Sequence, residues 1–270
     1  MIKFFRKIRQ SLLSEGKTAK YLKYAIGEIV LVVIGILIAL QLNNANENWK
    51  KEELRQELLL ELKSSIMADT VRLNVEKNDI RTAFVNAKKL KKVISEDLPY
   101  TKSLDSSFAK IVLVNTYEAD YKTLERLLNI GIEIIGDKTL IEEMLHYYDD
   151  SKNSANIGDK TKKLLYERIY PNHFISFESR EQAVPEDFEN LKKSNDFRIS
   201  LDYSIAAANK LLERSVHRKN LAIEILKMLD KNISITKNKK DENPYVRTIY
   251  KNDSIDIARE MEQLKKMINK

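Results

Sequence analysis

Residues 24–42 form the feature that most constrains this chain, an apolar run that reads YAIGEIVLVVIGILIALQL. Its only strongly polar residues are Glu28 and Gln41. As an α-helix, these 19 residues extend about 28 Å at 1.5 Å per residue, which matches the hydrocarbon core of a bilayer. The run therefore predicts a single transmembrane helix over residues 24–42, with the lipid bilayer as its partner.

Both ends of the run carry residues typical of the membrane–water interface. Lys20, Tyr21, Lys23 and Tyr24 lie at its start, and Trp49 lies beyond its end. Amphipathic rings and basic residues favour the headgroup region. We therefore predict that these five residues anchor the helix at the two interfaces.

The basic residues also predict the orientation of the span. Residues 1–23 contain seven Lys and Arg against Glu15 alone, whereas residues 43–63 mix four basic residues with five Glu. Basic flanks stay in the cytoplasm, so we expect a cytoplasmic amino terminus and a periplasmic remainder, in the inner membrane of a Gram-negative bacterium. The sequence ALQLNNANEN lacks a clean pair of small residues for cleavage, which favours an uncleaved anchor over a signal peptide.

The net charge of +7 is concentrated in residues 1–23. That segment is either an amphipathic helix in the headgroup plane or only a basic flank that sets the orientation. Once it and Glu28 are removed, residues 43–270 carry a net charge of only +2. We therefore expect no nucleic-acid partner.

Glu28 is a carboxylate inside an apolar run, and three interpretations stay open for it. It either reaches the interface or a nearby lysine such as Lys23, or contacts another copy in an oligomer, or couples to a proton or ion. Gly27, Gly35 and Ala39 are small residues that would let helix backbones approach closely. We expect a homo-oligomer or a larger membrane complex.

A long helix is predicted over residues 43–98, since neither Gly nor Pro occurs from Ala45 to Glu96. Apolar residues recur there at intervals of seven: Leu59, Ile66, Leu73, Ile80, Ala87 and Ile94, with Leu62, Phe84 and Leu90 between them. Asp69, Glu76 and Lys77 interrupt this stripe. The pattern favours packing against another helix of the same chain over a self-pairing stalk.

The remainder predicts a helical bundle over residues 99–231, a polar linker over 232–253 and an amphipathic helix over 254–270. Within the bundle we expect a buried helix at 108–115, a helical hairpin, a helix at 154–169 and a long helix at 186–231. The hairpin joins 119–130 to 139–150, with Gly131 as a carboxy-terminal cap and a capping box from Thr139 to Glu142. The predicted fold class is all-α: a transmembrane helix that continues into a long stalk helix, with a periplasmic antiparallel bundle.

The sequence offers no convincing catalytic, cofactor or metal site. Glu143 and His146 have the spacing of a di-iron ligand pair, but only one such pair occurs. Nucleophile elbows, phosphate loops and dinucleotide fingerprints are missing. Arg214, His217 and Arg218 are interpreted as a solvated basic face. We therefore expect no enzyme and no cofactor.

Two blocks resemble an uncharacterised family of single-pass membrane proteins common in Bacteroidota. The first is FFRKIRQSLLSEGKTAKYLKYAIGEIVLVVIGILIALQLNN, and the second is YKTLERLLNIGIEIIGDKTLIEEMLHYYD. The resemblance implies an inner-membrane anchor and a helical periplasmic region, and it brings no assigned activity.

These observations favour a non-enzymatic inner-membrane protein that serves as a scaffold, accessory subunit or sensor in an envelope complex. The first alternative is an ion- or proton-coupled component of a membrane complex that uses Glu28. The second is a periplasmic sensor that binds a small ligand between its helices and has no output domain of its own.

Overall fold

The computed structural model describes residues 18–178 and 180–233, and the chain divides into two units between Arg55 and Gln56. Most of the predicted basic segment, nearly all of the predicted linker and the predicted helix at 254–270 lie outside the described residues. The described chain is mostly helical, as the sequence predicts, with one short β-hairpin.

Helix α1, Thr18–Ser95, is continuous through the predicted span and the predicted stalk. In the first unit it contains the apolar run, and none of the most apolar stretch is buried against other parts of the chain. This is the one helix among the described residues that is long and apolar enough to cross a membrane.

The second unit contains the rest of α1 and all other elements. The helices are α2, Ser103–Lys110; α3, Lys122–Ile130; α4, Lys138–Leu164; α5, Tyr170–His173; α6, Phe188–Lys193; and α7, Asn195–Asn232. A 3₁₀ turn, Ile132–Ile135, precedes α4, and one π-helical turn, Leu165–Ile169, follows it. Strands β1, Phe174–Glu178, and β2, Gln182–Pro185, pair antiparallel.

The heptad stripe of α1 is buried inside the second unit. Leu59, Ile66, Leu73, Ile80 and Ala87 are each at most 1% exposed. This stripe thus packs within the chain, which confirms the interpretation made for it.

Several local predictions differ from the structure. The predicted helix at 108–115 is wrong, because α2 ends at Lys110 and the chain then runs without regular structure to Tyr121. The capping box is also wrong: Asp137 is the amino-terminal cap of α4 and accepts a hydrogen bond from the Leu140 amide. Gly131 does cap α3, at a φ of 110° that favours glycine.

Helix α4 joins two predicted helices into one, and Gly158 lies near its carboxy-terminal end. A Cβ built on Gly158 would lie 2.4 Å from Thr116 Oγ1 and 2.8 Å from the Val114 carbonyl oxygen. Glycine at this position therefore allows the irregular segment 111–121 to pass directly against the helix.

The predicted helix at 186–231 is divided at Ser194, whose hydroxyl caps α7 by accepting a hydrogen bond from the Phe197 amide. The hairpin before it was not predicted. Its aromatic side chains pack against a buried cluster with those of α2, α5, α6 and α7: Phe108, Tyr170, Phe174, Phe177, Phe188 and Phe197.

Candidate functional site: a buried polar cluster

The second unit encloses a cluster of charged side chains between α1, α4 and α7. Glu76 and Arg218 form an ion pair in which both side chains are only 1% exposed. Asp150 adds a second carboxylate, with Oδ1 3.0 Å from Arg214 Nη1 and Oδ2 3.9 Å from Arg218 Nε. Since a buried charge is costly unless it is paired, two carboxylates and two guanidinium groups compensate one another here.

These side chains also bind the backbone of the irregular segment 111–121. The Tyr117 amide donates to Glu76 Oε2 at 2.6 Å, and Arg218 Nη1 donates to the Tyr117 carbonyl oxygen at 3.1 Å. The Ala119 amide donates to Ser151 Oγ at 2.8 Å. A non-helical segment crossing a helical core leaves backbone groups without ladder partners, and the cluster supplies partners for them.

Asp69 forms a second part of the cluster, two helical turns before Glu76. Its Oδ2 accepts a hydrogen bond from the Tyr147 hydroxyl at 2.9 Å. Its Oδ1 lies 3.8 Å from Arg72 Nη1 and accepts no hydrogen bond within the described chain. Arg72 in turn donates to the Tyr117 hydroxyl and lies 4.6 Å from the centre of that ring.

Burial is the largest influence on the pKa values of Asp69 and Glu76, the two buried carboxylates of α1. It raises the pKa of Asp69 to about 6, although the hydrogen bond from Tyr147 and the charge of Arg72 oppose the shift. It raises the pKa of Glu76 to about 7, against the charge and hydrogen bond of Arg218. Burial, with Asp69 beside it, also raises the pKa of the Tyr147 hydroxyl. The cluster therefore holds two carboxyl groups that change protonation between mildly acidic and neutral pH.

Sequence reasoning noticed Asp69 and Glu76 only as interruptions of the heptad stripe. Polar residues at otherwise buried positions were the available signal, because such positions predict buried charges that need partners. The interpretation of Arg214 and Arg218 as a solvated face is wrong for Arg218, which is 1% exposed. The carboxylates that pair with Arg214 and Arg218 are far away in sequence, so only the tertiary structure identifies these partners.

A second polar group lies at the start of α7, beside an open cleft of about 540 Å³. His173 Nε2 lies 3.1 Å from Asp196 Oδ2 and 3.4 Å from Ser194 Oγ. In a nucleophile–base–carboxylate triad the histidine uses different nitrogens for its two partners. Here both partners approach the same nitrogen, which is the geometry of a helix cap and not of a triad.

The predicted residues of the apolar run all lie on α1 in the first unit. Gly27 and Gly35 have no atom within 4 Å of a built Cβ, and Ala39 is exposed. Glu28 is half-buried. These residues are far apart in sequence from the buried cluster.

The predicted interface anchors lie on the same helix. Lys23 and Trp49 are exposed, with Trp49 at 64%. Lys20, Tyr21 and Tyr24 are also part of α1.

Glu143 and His146 lie one turn apart on α4. The His146 ring lies 5.6 Å from that of His217, measured between centroids. Within residues 18–178 and 180–233, no group of three or more ligand side chains could hold a metal ion.

Comparison of the chain with protein-family models, curated proteins and solved structures finds no significant match. The resemblance to the Bacteroidota family stays a prediction.

Proposed function

We propose that this chain is a single-pass inner-membrane protein whose extracytoplasmic helical domain is a scaffold, accessory subunit or sensor in an envelope complex. The observation that carries the proposal is the most apolar stretch of α1, none of which is buried by other residues that the structure describes. Such a stretch needs lipid or another apolar partner. The seven basic residues before it orient the span.

Cysteine labelling tests the topology, because the natural chain contains no Cys. A membrane-impermeant maleimide applied to spheroplasts is expected to label Ile199→Cys, whose native side chain is 68% exposed in the second unit. Ser14→Cys, before the span, is expected to react only after the membrane is permeabilised. Labelling in the reverse order would contradict the proposed orientation.

Association of copies or partners through the span is tested by adding volume at Gly35. A Cβ built there has no atom of the described residues within 4 Å, so there is room for the side chain in Gly35→Leu. If Gly35 contacts another helix, the larger side chain reduces cross-linked and native-gel oligomers. Val33→Leu, on the opposite side of α1, is the matched control and is expected to keep them. Only monomers from the unaltered protein would count against the proposal.

Glu28 supports a second function, that of a proton- or ion-coupled component. It is the one carboxylate in the apolar run, and intramembrane carboxylates are characteristic of coupling sites. Glu28→Gln removes the titratable group at nearly constant volume and is expected to abolish coupling, whereas Glu28→Asp retains it. Unchanged assembly and cell phenotype in Glu28→Gln would eliminate this function.

A further inference from the structure

A second heptad stripe runs along α1 on the side away from the buried one. Spacings of four and three residues connect its seven positions, which we call the outer stripe: Ser64, Ala68, Val71, Val75, Asn78, Thr82 and Val85. Six of the seven side chains are exposed and Thr82 is half-buried, with Val71 at 61% and Val75 at 59% exposure. The outer stripe thus has the spacing of a coiled-coil seam, and six of its seven side chains are exposed among the described residues.

The chemistry of the outer stripe is unusual for its location. If the buried stripe of Leu59, Ile66, Leu73 and Ile80 is taken as heptad position a, the outer stripe occupies positions c and f. These are the most exposed positions of the heptad, and charged residues normally predominate there. None of the seven carries a charge, although charged residues make up 32% of the chain and about two would be expected. Three valines and an alanine exposed in a single line indicate a surface that packs against another helix.

We propose that the outer stripe of one copy pairs in parallel and in register with the outer stripe of a second copy. This inference deepens the proposed function and rests on it, because one membrane anchor per chain gives neighbouring copies the same direction. In that arrangement Asn78 meets Asn78 of the second copy. A shift by one heptad would place the Asn78 amide opposite Val71 or Val85, so a hydrogen-bonding partner at Asn78 favours the in-register alignment.

The charges beside the outer stripe are compatible with this pairing. In a parallel coiled coil, the residue directly before every second core position, here Ala68, Val75 and Thr82, faces the residue five positions later on the other helix. The facing residues are Met67 with Arg72, Asn74 with Asp79, and Arg81 with Asn86. No two like charges oppose each other in these pairs, and the charge of Asp79 is already compensated by Arg180 of the same chain at 2.7 Å, so an identical partner introduces no repulsion there.

Disulfide cross-linking of the full-length chain in its membrane tests the inference, since every introduced Cys is the only one present. Under copper-phenanthroline oxidation, Val71→Cys, Asn78→Cys and Val85→Cys are expected to give covalent dimers. Ile199→Cys is the matched control: it is as exposed as Val71, lies on α7, and is expected to stay monomeric. Circular dichroism of each variant confirms that the exposed substitution leaves the fold intact.

A charge variant supplies an independent readout. Val75→Glu places two carboxylates together in the proposed pair, so it is expected to reduce the Val71→Cys dimer at least tenfold, while Ile199→Glu leaves it unchanged. Equal cross-linking of the Val71 and Ile199 variants, or a heavier adduct with a different protein, would overturn the inference. Dimers through a Cys at Gly35 without dimers through the outer stripe would overturn it while leaving the proposed function standing. Absence of both would count against the two together.

Discussion

Replacing Asp69 with asparagine is expected to remove a pH-dependent loss of stability that the native protein shows between mildly acidic and neutral pH. An asparagine side chain has the shape and neutrality of the protonated carboxyl group, and its amide oxygen can still accept the hydrogen bond from Tyr147. The variant therefore changes the charge of this buried position and little of its packing.

The pKa of Asp69 determines the sign and the size of the effect. Its value of about 6 in the folded protein, against 3.8 as the ordinary value, means that the folded state binds the proton more tightly than the unfolded state. Stability therefore falls as pH rises from about 4 to 6 and is level above that range. The full difference is about 3 kcal/mol at 1.36 kcal/mol per pKa unit, of which about 2 kcal/mol falls between pH 4.5 and 7.5.

Thermal unfolding in mild detergent, followed by the near-ultraviolet circular dichroism of the buried tyrosines, measures this effect. Between pH 4.5 and 7.5, the stability of Asp69→Asn is expected to rise relative to the native protein by about 2 kcal/mol, or about 4–8 °C in Tm. Asp202→Asn is the control, because that carboxylate is 58% exposed in a surface pair with Lys91. A difference between native and Asp69→Asn protein that does not change with pH, or changes in the opposite sense, would refute the reasoning.

Two further substitutions test the packing and the pairing of the buried cluster. Gly158→Ala introduces a Cβ 2.4 Å from Thr116 Oγ1 and is expected to lower the free energy of unfolding in denaturant by about 1–3 kcal/mol. Gly27→Ala is the control: a Cβ there has no described atom within 4 Å, so the unfolding transition is expected to stay unchanged. Equal transitions for both would contradict the close approach. Arg218→Ala leaves Glu76 buried without its counter-charge and is expected to cost about 3–5 kcal/mol, while Arg126→Ala at the surface is nearly neutral. The measurement is made at pH 8, above the pKa of about 7 of Glu76, and a mild effect of Arg218→Ala there would contradict a stabilising buried ion pair.

The elements that sequence reasoning predicted well are those with strong local signals. The apolar run is continuous, the region after it has no helix breaker, and the buried stripe repeats every seven residues. Each signal depends on residues that are close together in the sequence, so the helix it predicts does not depend on contacts with distant segments. Gly131 belongs to the same group, since a glycine after an apolar helix can cap it by adopting a positive φ.

The elements that were missed depend on contacts between distant segments. The stretch at 108–115 is apolar enough to resemble a buried helix. The chain is nevertheless irregular over 111–121, where Glu76, Ser151 and Arg218 satisfy its backbone. Gly158 lies inside the predicted helix at 154–169, but the close approach of Val114 that favours a glycine there comes from a distant part of the sequence. The outer stripe was not recognised because the stronger buried stripe explained the periodicity of α1.

The sequence by itself determined that α1 is one long helix with an apolar segment fit to cross a membrane, because helix periodicity and apolar length are properties of consecutive residues. Only the tertiary structure decided which charges are buried together and which stripe of α1 stays exposed. Glu76 and Arg218 are 142 positions apart, and the free energy that joins them exists only once the helices between them have packed.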